Sequence, residues 1–139
     1  MKRLVLDTNV LLSALISPVS PSAEIYALWL NRKIVILTAA EQLDEITRVT
    51  RYPKIRALLS PALAGRLVNR LRDVAFVVGP LPVVDRSPDP DDNYLLAIAE
   101  TGQAHYLVTG DQHLLGLKRH RTTPILSPAD LVQRWKKGE

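Results

Sequence analysis

The stretch Leu4-Val5-Leu6-Asp7-Thr8-Asn9-Val10-Leu11-Leu12 sets a carboxylate, a hydroxyl and an amide between two apolar runs. The first run has no alternation. That is the pattern of a strand buried on both faces, as in a parallel sheet covered by helices. Polar groups at the end of a buried strand are costly unless something pairs with them. In an open α/β sheet, ligands bind in the crevice beyond the carboxyl ends of the strands. Asp7 is placed at such an end. A cap on the following helix, made by Asp7 or Asn9, accounts for the same residues. Partners elsewhere in the chain must decide between the two.

The rest of the chain repeats the alternation. Apolar runs at 34–37, 76–78, 106–108 and 123–126 read as further strands, the last an edge strand because of Pro124. Helical patterns lie between them. One covers 10–16, and a second opens at Ser20-Pro21 and ends near Asn31. Thr38 and Glu41 form a capping box for a third that runs to about Arg51, where Pro53 stops it. Ser60-Pro61 opens a helix to about Asp73, Asp91-Asp92 one that stops at Gly102, and Ser127-Pro128 the last. A short helix carries Leu114, Leu115 and Leu117, and residues 80–90, with four prolines, read as loop. The predicted fold is a single α/β/α sandwich over 1–139, with a mainly parallel central sheet and right-handed crossovers. With no cysteine there is no disulfide or thiolate metal site, which suits a reducing cytoplasm. The short apolar start is interrupted by Asp7 and does not read as a signal peptide.

Four acids fall at comparable places. Asp7 follows the first strand, and Asp111 follows the fourth within Leu107-Val108-Thr109-Gly110-Asp111. In a parallel sheet both ends lie on one edge. Asp92 starts the helix leading into the fourth strand, and Glu45 lies in the helix after the second, on one face with Val49. Carboxylates that converge without a matching Lys or Arg repel one another. A divalent cation relieves that repulsion, and an all-oxygen set suits Mg²⁺ or Mn²⁺. Each acid also has a plainer role as cap, first-turn charge or solvated residue. Asp44, Asp85 and Asp130 read as surface or capping charges.

At these residues the chain resembles the PIN domain family of metal-dependent ribonucleases. The resemblance is carried by Leu6-Asp7-Thr8-Asn9-Val10, Glu45, Asp89-Pro90-Asp91-Asp92, Thr109-Gly110-Asp111 and the closing Ile125-Leu126-Ser127-Pro128. It is most similar to the VapC-like branch, the toxins of bacterial and archaeal toxin–antitoxin pairs. The resemblance implies an endoribonuclease dependent on Mg²⁺ or Mn²⁺, with Asp7, Glu45, Asp92 and Asp111 as its catalytic and metal-binding acids. Asn9, Ser13 and Thr109 match polar positions that hold the acids or metal waters. Of the acidic triplet, Asp92 is taken as the ligand, with Asp89 and Asp91 in support. Gln112 and His113 stand where relatives often carry another carboxylate, which favours one metal over two. The resemblance also implies a small antitoxin as protein partner.

The net charge of +4 is compatible with a polyanionic partner. Arg48 and Arg51, with Lys54 and Arg56, follow Glu45, while Lys118, Arg119 and Arg121 follow Asp111; both clusters read as RNA-binding or as solvated surface. His113 and His120 read as surface residues, and Trp29 and Trp135 as core or interface. Leu11, Leu15 and Ile16 belong either to the core or to the face of a homodimer. Two other functions fit parts of the sequence. One is a phosphohydrolase with Asp7 as nucleophile, and the other a catalytically silent RNA-binding domain on the same fold.

Overall fold

In the computed structural model, which describes residues 1–138, strands and helices alternate from the start. β1 (Lys2–Leu6) leads into α1 (Thr8–Ile16) and α2 (Pro21–Leu30). β2 (Ile34–Thr38) leads into α3 (Ala40–Val49), α4 (Pro53–Arg56) and α5 (Pro61–Val74). β3 (Phe76–Val77) gives way to a long loop, a 3₁₀ turn at Pro90–Asp92 and α6 (Asn93–Thr101). β4 (Tyr106–Val108), α7 (Gln112–Leu115), β5 (Arg119–His120), β6 (Thr123–Leu126) and α8 (Pro128–Lys136) follow. The strand order is β3-β2-β1-β4-β6-β5. Every pairing is parallel except β5 with β6. The α/β sandwich read from the sequence is the fold observed.

The unalternating run in β1 has a direct cause. Leu4 and Leu6 pack in a core with residues of α1, α2, α3, α5 and α8. Val5, between them, faces a second core built by Leu95, Leu96 and Ile98 of α6 with Leu114 of α7. Helices cover both faces, so every β1 position from Leu4 onward is apolar. Among the described residues no single helix is long and apolar enough to cross a membrane.

The elements differ from expectation in five places. Thr38 is not a cap: it ends β2, and Ala39 occupies the cap position without a side-chain bond. α3 stops at Val49, and Pro53 starts a short turn of its own, α4, with Tyr52 extended ahead of it. The third strand is only Phe76–Val77, an exposed sheet edge. Asp91 and Asp92 lie in the 3₁₀ turn rather than in α6. β6 is not the edge strand. The two-residue β5 lies outside it, and Pro124 is tolerated because the amide that bonds toward β5 is that of Ile125, while pairing with β4 begins only at Ile125.

The ends of β1 and β2 are tied to α3 by Gln42, which is fully buried. Its Nε2 donates to the Leu6 carbonyl at 2.7 Å, and its Oε1 accepts from the Thr38 hydroxyl at 2.7 Å. Thr38 thus spends its hydroxyl on an interior bond. This pair of bonds sets where α3 starts against the carboxyl edge, and with it the position of Glu45 one turn on. Gln42→Ala leaves a buried carbonyl, a buried hydroxyl and a cavity. We expect a loss of about 2–4 kcal/mol, read as a fall in the urea midpoint at unchanged m-value.

Candidate active site

The carboxyl edge of the sheet carries a cavity of about 200 Å³ lined by Asp7, Asn9, Glu45, Asp92, Tyr94 and Asp111, together with Thr8, Val49 and Leu95. The structure therefore brings the four sequence-predicted acids to one place, from four different segments. Asp7 is both cap and site residue. Its Oδ1 accepts weakly from the Asn9 amide at 3.5 Å at the start of α1. Its Oδ2 accepts from the Thr109 hydroxyl at 2.6 Å. Thr109, fully buried, also accepts from the Asp111 amide at 3.0 Å, so one hydroxyl links the ends of β1 and β4. Asp111 in turn caps α7 through the His113 amide at 2.7 Å.

Glu45 is held by a residue that sequence reasoning did not single out. The Tyr94 hydroxyl donates to Glu45 Oε1 at 2.8 Å and lies 3.3 Å from the Thr8 hydroxyl. Burial, with the charges of Glu45 and Asp7 nearby, raises the Tyr94 phenol and keeps it neutral. Tyr94 lies one residue before Leu95, and its place beside the acidic turn was the only signal available. The loop that delivers Asp89 and Asp92 is pinned by Asn93, whose Oδ1 accepts from the amides of Arg86 at 3.1 Å and Ser87 at 2.8 Å. Asp89 caps the 3₁₀ turn by accepting from the Asp91 amide at 3.0 Å.

The charges in this cavity are uncompensated. None of its acids has an ion-pair partner among the described residues. Burial raises Asp7 above the usual carboxylate range, against the opposing bonds from Thr109 and Asn9. Asp92 is pushed up to about 7, first by desolvation, then by its contact with Asp111 and the charges of Asp111, Asp7 and Asp89. Desolvation also acts on Asp111, but the contact with Asp92 and the His113 amide outweigh it and hold Asp111 low. Near neutral pH this pair therefore shares one proton. Asp92 Oδ2 is buried with no hydrogen-bond partner among the described residues, the state of a carboxylate oxygen that a cation would satisfy. Oxygens of Asp89, Asp92 and Asp111 all lie within 4.8 Å of one another. Ligand oxygens around an octahedral Mg²⁺ stand about 3–4 Å apart, so a small closure suffices.

The other predicted residues divide. Asp91 is exposed, and Ser13, also exposed, does not line the cavity. Arg48 and Arg51 are exposed at the far end of α3. Arg119 lies in the outermost strand, with Lys118 just before it. Arg121 pairs with Glu100 at 3.4 Å, beyond the amino end of β6 and on the edge away from the acids. His120 is not a surface residue. It is buried, with Nε2 2.8 Å from Glu100 Oε1 and Nδ1 3.0 Å from Arg86 Nη1.

The raised Asp92 predicts a pH-dependent stability in metal-free buffer. With a folded value of about 7 against 3.8 unfolded, stability is fully present below 3.8, falls as pH rises between the two, and is flat above. Asp92→Asn removes this slope. Relative to wild type the variant gains stability from about pH 4 to 7, reaching on the order of 1 kcal/mol after discounting for solvent screening. Paired urea titrations with EDTA measure the difference, in which the groups that do not touch Asp92 cancel. A wild type and variant with parallel pH profiles would contradict the assignment.

The sequence model of the PIN domain matches residues 3–113. The chain is 31% identical over 117 residues to the uncharacterized protein MJ1680 of Methanocaldococcus jannaschii, covering 84% of this chain and 75% of that one. Its fold is similar to a chain in the crystal structure of VapBC2 from Rickettsia felis bound to a DNA fragment from their promoter. The TM-score is 0.54 at 15% identity, over 90% of this chain and 98% of that one. The match begins at Arg3 in β1 and runs through the motif that ends at Asp111, taking in every acid of the cavity, and the chain belongs to the PIN domain family.

Proposed function

We propose that this PIN domain is a divalent-cation-dependent endoribonuclease acting on single-stranded or looped RNA, and the toxin of a toxin–antitoxin pair. The observation that carries the reading is the buried, partnerless Asp92 Oδ2 beside Asp111 and Asp89, in a cavity with no cationic side chain to neutralise it. Asp89, Asp92 and Asp111 would hold Mg²⁺ or Mn²⁺, with Asp7 beside them. When bound, such an ion lowers the pKa of a water and neutralises charge on a phosphodiester. Asp7, fixed by Thr109, would orient such a water. Glu45 has one oxygen taken by Tyr94, and the other would accept the water's proton. An unpaired strand suits such a site, because its backbone and bases are accessible.

The toxin role rests on the VapC-like motifs and on the fold shared with VapBC2. A free nuclease of this kind requires an inhibitor, and an antitoxin that places an Arg against the carboxylates would serve, through paired charged hydrogen bonds. A homodimer is part of the reading. Leu11 belongs to the core, which leaves half-buried Leu15 and Ile16 as its apolar contribution on α1. Light scattering of the free chain tests the dimer.

Labelled single-stranded RNA is the direct test, incubated with Mn²⁺, with Mg²⁺ and with EDTA, beside a phosphomonoester. We expect cation-dependent cutting of RNA alone. Asp7→Asn or Asp111→Asn should lower it by ~100-fold or more, and Tyr94→Phe, which only frees Glu45, by about 10-fold. Hydrolysis of the monoester, or RNA binding without cutting in any cation, would replace the reading with a phosphohydrolase or a silent binding domain.

A further inference from the structure

On the other side of α3 from the acid cavity lies a second cleft, of about 300 Å³, bounded by α3, α4 and α5. Its polar lining is Thr47, Thr50, Arg51, Arg56, Asn69 and Arg72. Val49 lines the acid cavity, while Thr47, Thr50 and Arg51 line the cleft, so the two concavities share one helix as their wall. No carboxylate lines the cleft among the described residues, and none of its three arginines has an ion-pair partner there. Arg72 makes one side-chain bond, to Asn69 Oδ1 at 3.3 Å. The first turns of the 14-residue α5 open onto it at Pro61, Ala64 and Gly65, adding the positive end of the helix dipole. A side chain at Gly65 would meet nothing within 4 Å, so the backbone there is open to approach.

Three unpaired guanidinium groups in a concave site match phosphate oxygens, which they bind through paired donors. An acidic cavity repels the backbone on either side of the bond it cuts. The grip on a strand must therefore come from beside the cavity, and the cleft is one helix width away. Resting on the ribonuclease reading, we infer that the Arg51–Arg56–Arg72 cleft binds the phosphate backbone of the RNA flanking the scissile bond, so that the strand crosses α3 between cleft and cavity. Arg121 has no part in this path, since it is paired to Glu100 beyond the amino end of β6.

The test uses a fluorescein-labelled, randomised single-stranded RNA and the full chain. Anisotropy in EDTA, across a KCl series, gives the slope of log Kd against log[KCl]. The triple variant R51Q/R56Q/R72Q should lose about 2 units of slope, three contacts at about 0.7 each on a single strand. In Mn²⁺ it should show a raised KM at unchanged kcat. R121Q should match wild type in both. A triple variant with the wild-type slope and KM overturns the cleft while leaving the ribonuclease reading intact. A wild type that neither binds nor cuts this RNA overturns both. Thermal melts of the variant guard against misfolding, and R72Q alone, carrying about a third of the slope change, gives the same decision if the triple variant melts early.

Discussion

One hydroxyl carries the electrostatic burden of this fold. A parallel sheet delivers the ends of all its strands to one edge, and here two of those ends carry carboxylates. Thr109 stands between them, donating to Asp7 and accepting from the Asp111 amide. The bond to Asp7 is the largest force holding that buried acid toward ionisation, and burial still wins. Without Thr109 the ends of β1 and β4 would meet as bare polar groups in a dry place. With it, the edge tolerates a site whose charges nothing in the described chain neutralises.

The remaining acids are held by the same economy of single side chains. Gln42 fixes α3 against the ends of β1 and β2. Tyr94 reaches from α6 to Glu45, and Asn93, its neighbour, gathers the loop through two amides. Each of these residues is polar and wholly or partly buried, and Gln42 and Tyr94 bond to elements distant in sequence. Their bonds set geometry more than they add stability, since a buried polar group recovers little beyond its desolvation cost. The apolar cores on the two faces of the sheet supply the stability.

Much of this was legible in the sequence, for physical reasons. A strand covered on both faces has to be apolar throughout, so Leu4-Val5-Leu6 and Tyr106-Leu107-Val108 announced themselves. An acid right after such a run has few places to be, so Asp7 and Asp111 were readable from position alone. Asp92 and Glu45 followed from the same topology. What could not be read was contact between distant segments. Thr38 fitted a capping box in every local respect, yet its hydroxyl went to Gln42, a partner that only the packed interior supplies. His120 looked like one member of a basic surface run, and β5 was hidden inside that run because two residues carry no periodicity. Tyr94 gave no signal because an aromatic residue in a helix reads as core until its hydroxyl has a partner. Asp89 read as a loop charge, and only the turn at Pro90–Asp92 brings it beside Asp92 and Asp111.

The clamp at Asn93 has a further consequence, in the time domain. The segment between β3 and the 3₁₀ turn has no regular secondary structure, and Val83 at its middle is almost fully exposed. Such a segment exchanges its amide hydrogens quickly. The amides of Arg86 and Ser87 are donors to one buried side chain at the start of α6, and Arg86 is fastened again to His120 and to the Arg119 carbonyl. Opening fluctuations that run down the loop should therefore stop at Arg86, three residues before Asp89. The hydrogen-exchange map of this loop should change from fast to slow within two or three residues, with Asp89 and Asp92 on the slow side of the boundary.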